Sequence, residues 1–250
     1  MKKKILLTND DGYNAKGLEL LAKALEPIAD VTVFAPETNH SGASNSLTLV
    51  RPLMIRQAAN GFYYANGTPT DCVHLALTGF LQEPPDLLVS GINNGANLGE
   101  DTLYSGTVAA ASEGYLFGVP SIAFSLVKRG WEHIQPAVRA AVHIIQKQLE
   151  QPRQNPMLLS VNIPSIAEHS YKKIRVTRLG RRHPSQKVIP IQSPNGETMY
   201  WIGAVGQIKD KAFETDFAAI EDNCISITPL HLDLTNHAEI ALTKDWLNSA

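Results

Sequence analysis

Asp10 and Asp11 stand side by side in Asn9-Asp10-Asp11-Gly12, directly after the apolar run Ile5-Leu6-Leu7. Two carboxylates about 4 Å apart repel by several kcal/mol at an effective dielectric near 20. A divalent cation between them would reverse the sign of that interaction. Two later stretches offer the neutral oxygens such an ion also takes: Asn39-His40-Ser41-Gly42 and Ser90-Gly91-Ile92-Asn93-Asn94-Gly95. Carboxylates, a hydroxyl and amide oxygens together form a hard-cation ligand set, suited to magnesium, manganese or a relative. The plainer alternative is that Asp-Gly makes a turn and Asp caps the next helix. Neighbours on an extended backbone point opposite ways. Both carboxylates therefore reach one ion only if the chain turns at Gly12, or if one of them binds through water.

A second kind of chemistry is offered by Tyr104-Ser105-Gly106-Thr107, just ahead of VAAASEG. A helix starting there presents unpaired N–H groups and a positive dipole end. Its hydroxyls either cap the helix or help those amides hold a phosphate. Other phosphate and nucleophile signatures are missing. There is no GxxxxGK[ST], no GxGxxG after a strand and no GxSxG. His74 and His143 lie in apolar helical patterns and read as packed or partly exposed residues. His40 differs, because it adjoins Ser41. The run RLGRRH at 178–183 reads as a solvated basic face.

These clusters need a scaffold, and the chain spells one out. Strands are expected at 5–7, 31–35, 86–91, over VPSIAFS and at 157–164, with a short one at 62–65. Helices are expected at 17–26, over TPTDCVHLALTGFL with its cap at Pro69 or Thr70, from Ser105, and over HIQPAVRAAVHIIQKQLE. Strand and helix alternate to about residue 164, which predicts βαβ units and an α/β, Rossmann-like, mostly parallel sheet with helices on both faces. Ligands of such sheets lie beyond the carboxyl ends of the strands. All three oxygen-bearing clusters follow strand ends and so border one crevice. After residue 165 the rhythm changes. KKIRVTRLG, KVIPIQ and MYWIGAV read as extended segments, with Ser193-Pro194-Asn195-Gly196 between the last two. A helix near TDFAAIED, a strand over CISITPL and a terminal helix near 237–248 follow. The expected organisation is one domain over 1–250, with a core at 1–164 and a projecting hairpin arm and C-terminal segment at 165–250, an arrangement that permits packing on a neighbouring subunit.

Composition narrows the function classes. With 22 basic and 24 acidic residues, formal net charge −2, the chain carries no broad nucleic-acid-binding face. No apolar window is long enough for a membrane helix, and the N-terminal MKKKILLTNDDG has too short an apolar stretch for a signal peptide. Cys72 and Cys224 sit in apolar patterns and read as buried free thiols. The expectation is a cytoplasmic protein.

Taken in order, LLTNDDG, VFAPETNHSGASNSLTL, NGTPTDCVHLAL, PDLLVSGINNGANLG, YSGTVAAASEG and VPSIAFS resemble the survival protein E (SurE) family of metal-dependent 5′/3′-nucleotidases. Weaker echoes continue in LLSVNIP, RLGRR, TDFAAI and ISITPLHLDLT, so the resemblance spans nearly the whole chain. It implies a Rossmann-like sheet with a projecting β-hairpin and a C-terminal segment, exchanged in a homodimer or homotetramer. It also implies one divalent ion per subunit (Mg, Mn or Co) on Asp10, Asp11, Ser41 and Asn93, with Asp10 and Asp11 catalytic. Ser105, Gly106 and Thr107 would hold phosphate, with Asn9 and Gly42 close by. The implied reaction is hydrolysis of nucleoside 5′- and 3′-monophosphates by metal-activated water, with short polyphosphate as a further substrate. Two other readings are an aspartyl-phosphate on Asp10 and a nucleotide-binding regulator without turnover. A phosphoreceiver also puts an acidic pair after its first strand. It needs an Asp after its middle strand, where this chain has Ser90-Gly91-Ile92-Asn93.

Overall fold

The computed structural model describes residues 2–167 and 170–249. The chain builds a nine-stranded sheet in the order β3-β4-β2-β1-β5-β6-β7-β11-β8, and a separate two-stranded sheet, β10-β9. The central strands are β1 (Lys3–Thr8), β2 (Ala29–Pro36), β4 (Tyr63–Ala65), β5 (Leu87–Asn94), β6 (Ser121–Leu126) and β7 (Leu158–Ile163), all paired in parallel. Toward the two edges the pairing turns antiparallel, at β3 (Ile55–Gln57) against β4 and at β11 (Ile225–Pro229) against β7. The last strand, β8 (Ile174–Val176), runs parallel to β11.

The period-two rule explains why the core strands are apolar at every position. On β1, Ile5 and Leu7 enter one core cluster while Leu6 enters the other. Helices α1 (Lys16–Leu25) and α4 (Ile134–Glu150) cover the first face with Leu18, Leu21, Leu25, Ala137, Ala141 and Ile145. Helices α2 (Pro69–Leu75) and α3 (Gly106–Leu116) cover the other with Cys72, Val73, Val108, Ala110 and Ala111. The expected α/β architecture is therefore present, and both cysteines are buried free thiols.

Local details differ from the sequence reading for identifiable reasons. The cap of α2 is Thr68, with Pro69 as the first helical residue. The Thr68 hydroxyl accepts from the Asp71 amide, and the Asp71 carboxylate accepts from the Thr68 amide in return. α2 then loosens into a π-helical turn, Ala76–Phe80. β5 runs three residues past its expected end at 91, with its register to β6 shifted between Ser90 and Asn93. Of the three late extended segments, the first supplies β8 to the main sheet. The other two form the hairpin of β9 (Ile189–Gln192) and β10 (Thr198–Trp201). Helix α5 (Asp216–Glu221) precedes β11, and α6 (Glu239–Asn248) closes the chain.

The strand order sets the position of the site. From β1 the chain moves outward one way to β2 and β4, then returns to place β5, β6 and β7 on the other side. The reversal lies between β1 and β5. Loops leaving these two strands part there and open a crevice at the carboxyl edge.

Candidate active site

Asp10 emerges at that crevice beyond the end of β1. It is 3% exposed, and its Oδ1 accepts a 2.5 Å hydrogen bond from the Thr107 hydroxyl in the first turn of α3. Burial pushes its pKa up to about 6; Thr107 opposes the shift and the neighbouring charge of Asp11 adds to it. Asp11 is less buried. Its Oδ2 accepts from the Asn94 amide and its Oδ1 from the Asn39 side chain, each at 3.1 Å. Its carboxyl is also raised, again by burial, against the pull of those donors and of Arg129. The chain turns between these acids and α1 because Gly12 takes φ 103°, open to glycine and strained for other residues. The Asn9 side chain ties this turn, donating to the Gly12 carbonyl at 2.8 Å.

The second loop folds over the first. The His40 amide donates to the Asp10 carbonyl at 2.8 Å, and the Ser41 amide to the Asn39 side-chain oxygen at 2.9 Å. Asn39 thus bridges Asp11 to the Ser41 backbone, a positioning role that adjacency in sequence did not reveal. The nearest partner of the His40 ring is Thr38, at 3.5 Å. Farther on, Ser44 fastens the loop to the α3 side, its hydroxyl donating to the Leu103 carbonyl at 2.7 Å.

At the start of α3, Ser105 is the cap: its hydroxyl oxygen accepts from the Val108 amide at 3.1 Å. Gly106 sits against Asp10 so closely that a Cβ there would lie 2.8 Å from the Asp10 Cβ. Gly106→Ala should therefore displace the carboxylate and lower turnover about a hundredfold, the scale of a 1 Å misplacement. Steady-state kinetics check this; a variant with unchanged kcat would show that Asp10 tolerates the shift.

A cleft of about 540 Å³ joins these parts, with Asp10, Ser41, Gly42, Asn93 and Ser105 all on its walls. The other candidate residues stand immediately behind it. Asp11 is tied to Asn94, a wall residue; Thr107 is bonded to Asp10; Gly106 abuts Asp10; Asn9 is fully buried beneath. The cleft also holds residues that motif reading passed over. Asn97 donates to the Ser125 hydroxyl at 2.7 Å and is locked to Asn162, while Arg129 and Val205 join Tyr104 at the mouth.

The basic run is only in part the solvated face expected of it: Arg178, Arg181 and His183 are exposed, and Arg182 is not. Arg182 is mostly covered and pairs with Asp101 at 3.0 Å, and Arg178 pairs with Asp210 at 2.7 Å. Together with the buried Asp216, whose carboxylate accepts from the Gly99 amide at 2.7 Å and the Gly180 amide at 2.8 Å, Arg182 clamps the Gly99–Leu103 turn that leads into Ser105.

A divalent ion fits the residues present. Among the described residues no three His, Cys, Asp or Glu side chains converge; the oxygen donors that could hold such an ion are the two carboxylates and the neutral oxygens of Ser41 and Asn93. Burial raises the pKa of both carboxyls, a cost that a bound cation would offset. Beneath them the Asn9 side-chain oxygen and the Ser90 hydroxyl are buried without a hydrogen-bond partner.

Residues 5–186 match the family model described as Survival protein SurE. The chain belongs to the SurE family. Among solved structures it is similar to the crystal structure of SurE protein from Aquifex aeolicus, with 41% identity over 98% of this chain and 100% of that one, at a TM-score of 0.86. SurE membership supports a metal-dependent phosphatase or nucleotidase in general terms. Both the fold and the family were readable from the six ordered sequence blocks.

Proposed function

We propose that the protein is a phosphomonoesterase that converts nucleoside 5′- and 3′-monophosphates and water into nucleoside and inorganic phosphate, with short polyphosphate as a further substrate. The supporting observation is the meeting of Asp10, Ser41 and Asn93 with the N-terminus of α3 in one cleft. One divalent ion (magnesium, manganese or cobalt), held by Asp10, Asp11, Ser41 and Asn93, would supply Lewis-acid polarisation of a phosphoryl oxygen and acidify a water. The protein's own part is positional and electrostatic. The Thr107 hydroxyl fixes Asp10, and Asn39 with the Asn94 amide fixes Asp11. Ser105 and the first amides of α3, with Gly42 opposite, meet the charge that grows on the phosphoryl oxygens. Asn9 supports the floor of the site through Gly12. Tyr104 and Val205 offer an apolar rim against which a nucleoside can lie.

Phosphate release from AMP over many turnovers tests this reading. Stoichiometric binding without release would favour a nucleotide-binding regulator, and a trapped phosphoryl group on Asp10 would favour the aspartyl-phosphate route.

The arm supports a homodimer or homotetramer. Tyr200 and Trp201 are each 65% exposed and Ile202 90%, while α6 buries none of its residues and leaves Trp246 and Leu247 uncovered. So much apolar surface on two separate elements is what an interface between copies of the chain would cover. Replacing residues 188–202 by a short turn should reduce the particle toward the 27.3 kDa chain mass in light scattering. An unchanged mass would place the interface elsewhere. No helix among the described residues is long and apolar enough to cross a membrane.

A further inference from the structure

The geometry points to Arg129 as a substrate-binding residue that grips the phosphate from the β6 side of the cleft. The inference rests on the phosphomonoesterase reading above. Arg129 follows β6, and its turn is held at several points. The Val127 amide donates to the Ile163 carbonyl and the Gly130 amide to the Asn94 side-chain oxygen, both at 2.9 Å, while Trp131 packs against Gly17 at the start of α1. Arg129 itself is exposed, but the backbone that carries it is already fixed, so less of its contact energy is lost to ordering than on a mobile loop. The side chain runs along Gly95, where an added Cβ would meet its Nε and Cγ at 3.5 and 3.6 Å. The guanidinium lines the cleft, and its charge is felt at Asp11.

The adjacent lysine shows that this placement is not shared by every cation of the turn. Lys128 faces Glu132 at 3.5 Å and lies outside the cleft wall.

Charge balance gives Arg129 its task. A phosphomonoester dianion entering this cleft meets Asp10, Asp11 and Asp101. Asp101 is already paired with Arg182, and one divalent ion offsets only the other two. Arg129 is the positively charged side chain left on the described wall, and a guanidinium can give a phosphate two parallel N–H donors.

The test uses the full-length protein saturated with manganese and titrated with inorganic phosphate. Arg129→Met should weaken phosphate binding about tenfold or more, the scale of one charge-assisted hydrogen bond. Arg129→Lys should recover part of the loss, and Lys128→Met should bind like wild type. Manganese affinity in Arg129→Met should stay the same or tighten, because a cation near Asp11 has gone. An Arg129→Met protein that binds phosphate as tightly as wild type, while wild type hydrolyses AMP, overturns this inference alone. It would reduce Arg129 to a counter-ion for Asp11. Wild-type protein that neither hydrolyses AMP nor binds phosphate with manganese overturns the parent reading as well.

Discussion

Asp10→Asn should abolish turnover and at the same time make the metal-free protein more stable. The two effects have one cause. Asp10 is 3% exposed and its carboxyl titrates near pH 6 in the folded chain, against 3.8 without the fold. Between those values the native state holds a proton that the unfolded chain has released. Stability from this group is therefore fully present below pH 3.8 and is lost as pH rises through about 6. At pH 7 the buried charge costs on the order of 2–3 kcal/mol, from about 1.4 kcal/mol per pKa unit. Asparagine keeps an acceptor for the Thr107 hydroxyl and removes the charge. Metal-free Asp10→Asn should melt roughly 5–10 °C higher than wild type at pH 7, and the gap should close toward pH 4. Catalysis should fall by at least about a hundredfold, the loss expected when a group that organises transition-state charge goes. Asp11→Asn should lose comparable activity with a smaller gain in stability, because Asp11 is less buried and already has two donors and Arg129 to offset its charge. Differential scanning fluorimetry beside initial rates reads both quantities. If Asp10→Asn has near-wild-type rates at saturating manganese, the carboxylate is structural.

Chelation should bring the second large change. EDTA should remove all measurable phosphate release from AMP, and a divalent ion should restore it. Proton and ion compete for the same Asp10 carboxyl, so manganese affinity should fall as pH drops below about 6. Manganese should also raise the melting temperature at pH 7, since it binds the native site and offsets the Asp10–Asp11 repulsion. Activity indifferent to EDTA would exclude an exchangeable ion.

How much of this could be read beforehand depended on how local each signal is. Ile5-Leu6-Leu7 followed by Asn9-Asp10-Asp11 betrayed a buried strand ending in acids, because both features lie within a few residues. Thr68 was legible in principle: Thr68-Pro69-Thr70-Asp71 has the spacing of a capping box, and the boundary was drawn one or two residues late, at Pro69 or Thr70. β3 left no pattern, since Ile55, Arg56 and Gln57 are all exposed and only their pairing with Tyr63–Ala65 makes them a strand. The clamp from Asp216 to Gly99 joins residues 117 apart, and Arg182 to Asp101 spans 81. Contacts at such separations follow from the sheet order and not from any local motif. Arg129 was overlooked for the same reason. Nothing in SLVKRGW marks it; its place beside Asn94 and Gly95 comes from β5 and β6 being neighbours.

The account turns on a single ion held where the loops after β1 and β2 meet the carboxyl end of β5. Crystals grown with manganese and measured at its absorption edge address that claim most directly. One anomalous peak per chain should appear in the cleft, bonded to a carboxylate oxygen of Asp10 or Asp11 and within the reach of Ser41 and Asn93. A map with no peak there, or with its only peak at another site, would contradict it.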